Sequence, residues 1–324
     1  MEVIWEAIAP FLTQNWGAVI RDMPQILISG LASGFQFALI AIGFVLIYRA
    51  TETVNFAQGD IMVVGMFVAF ALQEMSLTAF GFSEQAGLPW WLVIPLAILI
   101  VAALGAFLDI SIFRNMAGQS PLATVIVTIA LGFIIRNGID LFFAPNDYNL
   151  FNPLGGSTIK VLGAVVPIFD ICIVIGALLI VTGLFLFLGR TKKGLAVQAA
   201  SQNQLAAYYQ GISVRNLSTL VWTLAAGISA FAGIMFAMSK PFTSSVGLSL
   251  SGGIMAYAAA IIGGFGSLRG AVVAALILGV IQQFVQTLSG LPSLVTANAG
   301  LIFLLIMLAV RPKGLFPQVQ TKKV

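Results

Sequence analysis

Gly189-Arg190-Thr191-Lys192-Lys193-Gly194 opens a polar run that continues through Leu195-Ala196-Val197-Gln198-Ala199-Ala200-Ser201-Gln202-Asn203-Gln204-Leu205-Ala206-Ala207-Tyr208-Tyr209-Gln210 and closes at Gly211-Ile212-Ser213-Val214-Arg215-Asn216. It is the longest polar interruption in an otherwise oily chain, with apolar runs before it (Ala164–Leu188) and after it (Leu217–Met238). A basic cluster opens the stretch. Its middle is rich in good helix formers and predicts a helix over 195–210, with Gly211 where a C-terminal cap belongs. A polar helix held between two runs that can each cross a bilayer marks a polytopic membrane chain.

Composition agrees. Of 324 residues 60% are hydrophobic and 8% charged, against about 25% charged in a soluble domain. So few charges cannot cover a soluble surface, and the chain reads as an all-α, polytopic transmembrane helical bundle. Glycine is frequent (33 residues), as close helix packing in lipid requires. The net charge of +4 is modest and gives no reason to expect nucleic acid. The absence of histidine excludes imidazole ligands, a Ser-His-Asp triad and a histidine proton relay. The single cysteine, Cys172, lies in an apolar run and reads as a small hydrophobe. No metal, cofactor or enzymatic activity is expected.

Working outward, residues 3–20 are apolar but broken by Glu6, Pro10, Gln14 and Asn15, and read as an interfacial helix with Trp5 and Trp16 at headgroup level. Glu2 and Glu6 stand where a cleavable signal needs positive charge. Spans are expected at Ile26–Tyr48, Ile61–Leu72, Trp90–Leu108, Leu122–Phe143, Ala164–Leu188, Leu217–Met238, Ser249–Ile262, Ala271–Leu288 and Val295–Val310, about eight to ten crossings with short or broken helices among them. Residues 1–24 form an N-terminal segment, 25–316 the transmembrane domain and 317–324 a tail. Arg190, Lys192, Lys193 and Arg215 in the polar run, with Arg311, Lys313, Lys322 and Lys323 in the tail, place both in the cytoplasm. Residues 73–89 and 144–163 then face outside.

Four groups of residues invite a role. Asn55, Gln58 and Asp60 lie in the polar stretch Val54–Asp60, ahead of a run short for a full crossing. Either this stretch sits in protein at membrane depth, as broken helices of transporters do, or it is an ordinary loop with Asp60 at a helix start. Arg136 and Asp140 are four apart on one helix face, and the simpler reading has Arg136 reaching outward, held by Asp140. Gly30 and Gly34 form one GxxxG, Gly266 and Gly270 another, and with Gly263 and Gly264 they suit close helix packing. No Gly-Lys-Ser/Thr follows a glycine-rich loop, so the chain has no P-loop of its own. Lastly, Ala196, Ala199, Ala200, Asn203 and Ala207 form a narrow small-residue face on the polar helix, fit either for a groove on another protein or for solvent.

Asn55-Phe56-Ala57-Gln58-Gly59, Lys193-Gly194 with Gly211-Ile212, Ala259-Ala260-Ile261-Ile262-Gly263-Gly264-Phe265-Gly266-Ser267-Leu268-Arg269-Gly270 and the tail Arg311-Pro312-Lys313-Gly314-Leu315-Phe316 occur in one order. In this the chain resembles, from about Gly30 to Phe316, the membrane permeases of the branched-chain amino-acid ABC importers. The resemblance implies one of two related but different permease subunits in a bacterial inner membrane, with two cytoplasmic ATP-binding subunits and an extracytoplasmic substrate-binding protein. It implies that 194–211 is the element seated on an ATPase, through Gly194, Ala196, Ala199, Ala200, Asn203, Ala207 and Gly211. Gln58 stands where the family often has histidine. Gln198, Gln202 and Asn203 are neutral where it usually has arginine and acidic residues, so neutral contacts must serve there. The expected cargo is a branched-chain amino acid, with urea, a short amide or another small organic acid as the alternative. A stand-alone secondary transporter or channel would need intramembrane ion-coupling carboxylates, and those available (Asp60, Asp109, Asp140, Asp170) fall mostly near expected span ends.

Overall fold

The computed structural model describes residues 16–74, 88–116, 118–143, 146–161, 164–242, 245–288, 291, 295–296, 298–311 and 314–316. Most of the expected interfacial segment, most of the 73–89 loop and the tail 317–324 lie outside the described residues. After a short α1 (Trp16–Arg21) come α2 (Met23–Thr51), α3 (Gln58–Glu74), α4 (Trp90–Ser111) and α5 (Pro121–Phe142). A two-stranded hairpin follows, β1 (Thr158–Val161) and β2 (Ala164–Pro167). Then come α6 (Ile168–Arg190), α7 (Lys192–Gln202), α8 (Gln204–Tyr209), α9 (Val214–Ser239), α10 (Ser245–Gly263), α11 (Leu268–Thr287) and α12 (Ala299–Val310). Among the described residues six helices are long and apolar enough to cross a bilayer, and Gly252–Gly263 of α10 and Ala299–Val310 (α12) are shorter apolar stretches beside them. The all-α polytopic bundle is therefore the fold.

The elements start and stop for local reasons. Pro24 opens α2 at a position where its missing N–H costs nothing. Ser120 caps α5 by accepting from the Ala123 N–H at 3.3 Å, and Pro121 follows it. The expected span from Ala164 begins instead at Ile168, because Ala164–Pro167 pairs antiparallel with Thr158–Val161.

Two helices form the interior. Helix α2 is buried on nearly all sides, and α9 buries Ala225, Ala226, Gly227, Ser229, Ala230, Ala232 and Gly233. Lipid supplies no hydrophobic force between helices, so close van der Waals contact at small residues must. A methyl group at Gly65 of α3 would lie 2.6 Å from the Ala230 Cα, and one at Gly34 of α2 would lie 2.8 Å from the Leu276 Cα on α11. Gly30 and Gly34 lie at the α2–α11 crossing, where Gly279 of α11 meets them.

The second glycine group does something else. Gly263 lies against Gly270, while Gly264 and Gly266 adopt the left-handed conformation (φ 93° and 100°) in the turn that joins α10 to α11. Gly266 is therefore a turn residue and not half of a GxxxG seam. Residues 314–316 lie on this turn, where the Leu315 N–H donates to the Ile262 carbonyl at 2.7 Å.

The helix ends sort into two levels. One level collects the end of α2, the start of α5, the 190–214 connector, the α10–α11 turn and the end of α12. It holds Arg49, Arg114, Arg190, Lys192, Lys193, Arg215, Arg269 and Arg311. At the opposite level, Tyr148 and Phe242 exchange backbone hydrogen bonds of 2.8 and 3.0 Å inside an aromatic cluster with Phe67, Phe70 and Phe143.

Candidate functional site

Helix α3 begins inside the bundle. Gly43 of α2 lies directly against the Gln58 side chain. Gly43 is eight residues short of the end of α2, about 12 Å along the axis. The chain therefore leaves α2, turns back, and restarts as a helix at depth. Asn55, Gln58 and Asp60 are all buried, so this stretch is no solvated loop.

Backbone at such depth needs internal partners, and the side chains provide them. Asn55 accepts from the Ala57 N–H at 3.0 Å and donates to the Gln58 Oε1 at 3.1 Å. The Gln58 amide then donates to the Ser229 Oγ at 2.6 Å and to the Ala225 carbonyl at 3.2 Å, both on α9. The Phe56 N–H donates to the Thr128 hydroxyl of α5 at 3.2 Å. Gln58 thereby ties the start of α3 to α9, and Phe56 ties the break to α5. Nothing in the spacing of the sequence pointed to Ser229 or Thr128; each is one small hydroxyl in an apolar run.

Arg136 does not reach outward. Its Nε lies 2.8 Å from the Asp60 Oδ1, and the guanidinium sits 4.9 Å from the Phe133 ring centroid. The sequence alone has Arg136 held by Asp140 on its own helix; the structure shows an ion pair that joins α3 to α5. The reason is room: Gly132 has no side chain, and the Asp60 carboxylate fills the space one would occupy. Gly132 is eleven residues from the start of α5 and ten from its end, about 16 and 15 Å. Asp60 is therefore near mid-membrane rather than at a span end.

A second buried carboxylate lies toward the basic level. Asp109 of α4 accepts from the Ser218 and Thr219 hydroxyls of α9 at 2.7 and 2.6 Å, and Arg114 donates to Thr219 at 2.7 Å. Phe113 stacks on Trp222 at 4.2 Å between centroids. Helices α4 and α9 are fastened together there.

The polar connector is two helices, not one. Asn203 ends α7 and caps α8, accepting from the Ala206 N–H at 2.9 Å. Thr191 caps α7 by accepting from the Gly194 N–H at 3.0 Å, and Gly194 lies so close to Phe187 and Leu188 that no larger residue fits. Gln198 donates back to the Leu188 carbonyl and Gln204 to the Ala50 carbonyl of α2, both at 2.8 Å. Gly211 takes the left-handed conformation (φ 78°), and the Ile212 N–H returns to the Ala207 carbonyl, as the cap position required.

The small-residue face divides. Ala200 and Ala207 are buried against the chain itself, Ala196 is half-buried, and Ala199 and Asn203 are exposed. Ala200 and Ala207 are thus packing residues, and Gln198 is engaged inward. The surface left open is carried by Leu195, Leu205, Tyr208 and Tyr209. Among the described residues no group of histidine, cysteine, aspartate or glutamate could hold a metal ion.

Comparison with known proteins gives this architecture a family. Residues 26–311 match the family described as "Branched-chain amino acid transport system / permease component". The chain is 27% identical over 304 residues to the high-affinity branched-chain amino acid transport system permease protein BraD of Pseudomonas aeruginosa, covering 93% of this chain and 97% of that protein. To the corresponding LivH protein of Escherichia coli it is 24% identical, over 93% of this chain and 97% of LivH. To the E. coli permease protein LivM it is 25% identical, over 71% of this chain and 58% of LivM. With a matched region that runs from the buried α2 to the end of α12, this multi-pass membrane protein belongs to the permease-component family of branched-chain amino acid transport systems.

Proposed function

We propose that the chain is one permease subunit of an ATP-driven importer of branched-chain amino acids, working with a related second permease, two ATP-binding subunits and a binding protein outside. The basic level of the bundle then faces the cytoplasm, as the excess of Arg and Lys there favours. Family membership supports the transport role, and one geometric observation carries the mechanism. The connector α7–α8 runs into α9 through Ser213, and α9 holds the restarted helix α3 through Ser229 and Gln58. A push on the connector from a cytoplasmic ATPase is delivered to the broken helix without passing through a loop longer than the residues 210–213.

The connector is built to receive such a push. Thr191, Gln198 and Gln204 pin it to the ends of α6 and α2. Leu195, Leu205, Tyr208 and Tyr209 project outward as an apolar and aromatic surface, of the kind that anchors protein interfaces. In this reading Asn55, Gln58 and Asp60 border the route of the substrate or brace the helix beside it, and an ATPase cleft receives Leu205 and Tyr209 rather than Ala200 and Ala207.

The test uses Leu205→Glu and Tyr209→Ala in the full transporter reconstituted in vesicles. Both variants should insert and melt like the parent while losing ATPase association and ATP-dependent leucine uptake together. Wild-type association and uptake in both would overturn the coupling role of the connector. Uptake of urea or acetamide in place of leucine by the parent would reassign the cargo.

A further inference from the structure

The three outer spans differ in what they leave uncovered. Only 17% of the apolar window of α5 is buried, against 28% for α4 and for α6. The exposed side chains of α4 between Trp90 and Ile110 are all apolar, as lipid requires, with Trp91, Leu99 and Phe107 typical. Those of α6 from Cys172 to Gly189 include no charge and no amide. Helix α5 exposes Asn137 and Asp140, and the Arg136 side chain remains 15% exposed beside them. Asn137 lies five residues, about 7 Å, inside the end of the helix. An amide and an arginine at that depth face a partner or a wet cavity, not lipid.

We propose that this face of α5, centred on Phe133 and Asn137 and extended by Phe56 of the broken segment, is the surface against which the second permease subunit packs. The inference rests on the importer reading above and adds the place of contact. Phe56 belongs to the same face because its backbone is bonded to Thr128 of α5 and the residue is 40% exposed. The surface thus runs from the break to the far end of α5, with aliphatic residues such as Ile126 and Ile129 along its length. The occupant follows from two facts. The chain resembles both LivH and LivM, two permease proteins of one organism whose names give the same transport system. The face also carries both signs of charge, Arg136 and Asp140. Polar groups at that depth suit contact with another membrane protein better than contact with lipid. A route between the two subunits would then pass Phe56 and the Asp60–Arg136 pair.

The experiment places the photo-crosslinking residue p-benzoylphenylalanine at Ile129 or Phe133, and as controls at Leu99 of α4 and Leu179 of α6, in the complete complex purified through a tag on this chain. Adducts are identified by mass spectrometry. Positions 129 and 133 should yield a covalent product with a second, related permease, at least tenfold above either control. Lipid adducts alone at 129 and 133, while a second permease and ATPases co-purify, would overturn the contact and leave the importer reading standing. An adduct only with another copy of this chain would equally overturn it, since the occupant is a different chain. Absence of both ATPases and second permease from the purified material would remove the importer reading itself, and this inference with it.

Discussion

The guanidinium of Arg136 on α5 meets the carboxylate of Asp60 on α3 at 2.8 Å, midway through the bundle. The contact joins the helix that restarts inside the membrane to the least covered of the outer spans. Asp60 is buried, and Arg136 nearly so. The pair therefore depends on both members, because removing one leaves a charge in surroundings that cannot solvate it.

Arg136→Gln should accordingly destabilise the chain by about 3–5 kcal/mol, the usual cost of stranding a buried charge. The double variant Asp60→Asn/Arg136→Gln, which removes both charges and keeps both shapes, should recover most of that loss. Thermal unfolding in detergent, followed by fluorescence of the parent, the single variants Asp60→Asn and Arg136→Gln and the double variant, measures the coupling. Additive losses in the double variant would show that the two residues do not act as a pair.

Gln58 is the joint between α3 and α9. Gln58→Leu strands the Asn55 amide and the Ser229 hydroxyl, a loss of about 1–3 kcal/mol for buried polar groups. Ser229→Ala removes one partner and should cost less. If α9 transmits movement to the broken helix, both variants should assemble with the ATPase while uptake per ATP hydrolysed falls. Uptake and hydrolysis measured on the same vesicles decide this, and an unchanged ratio in both variants would exclude Gln58 as the joint.

The α2–α11 crossing rests on Gly34, where an added side chain would meet the Leu276 backbone at 2.8 Å. Gly34→Leu should lower stability by about 1–3 kcal/mol or more, as overpacking does, and reduce the yield of folded chain. Gly183 is a control on the same kind of helix with nothing within 4 Å of an added methyl, so Gly183→Ala should be silent. Monodispersity in size-exclusion chromatography and the melting temperature report both.

Gly211 closes α8 at φ 78°. Gly211→Val forces a β-branched residue into a left-handed backbone at roughly 1–2 kcal/mol, and Gly211→Asn should cost far less because asparagine tolerates that region. The expected readout is loss of ATPase stimulation in the valine variant and its retention in the asparagine variant. Ala200→Glu is a different experiment: Ala200 is buried within the chain, so a glutamate there disturbs the seating of α7 itself before any partner is involved.

The sequence by itself determined the fold class and the existence of a polar connector, because these depend on local composition. Apolar length, scarce charge and basic bias are each read from a window of about 20 residues, and the Gly211 cap follows from a single position at a helix end. What only tertiary structure decided is which side chains meet. Asp60 and Arg136 are 76 residues apart and Gln58 and Ser229 are 171 apart, so no window contains either pair. Arg136 and Asp140 shared a helix face on paper, yet the space left by Gly132 drew the arginine toward another helix. The connector shows the same limit. Its alanines were legible as a small face, but whether that face met a partner or the protein itself depended on where α7 lay against the ends of α6 and α2. Small residues suit close approach by any neighbour, and only the packed structure showed that at Ala200 and Ala207 the neighbour is the chain itself.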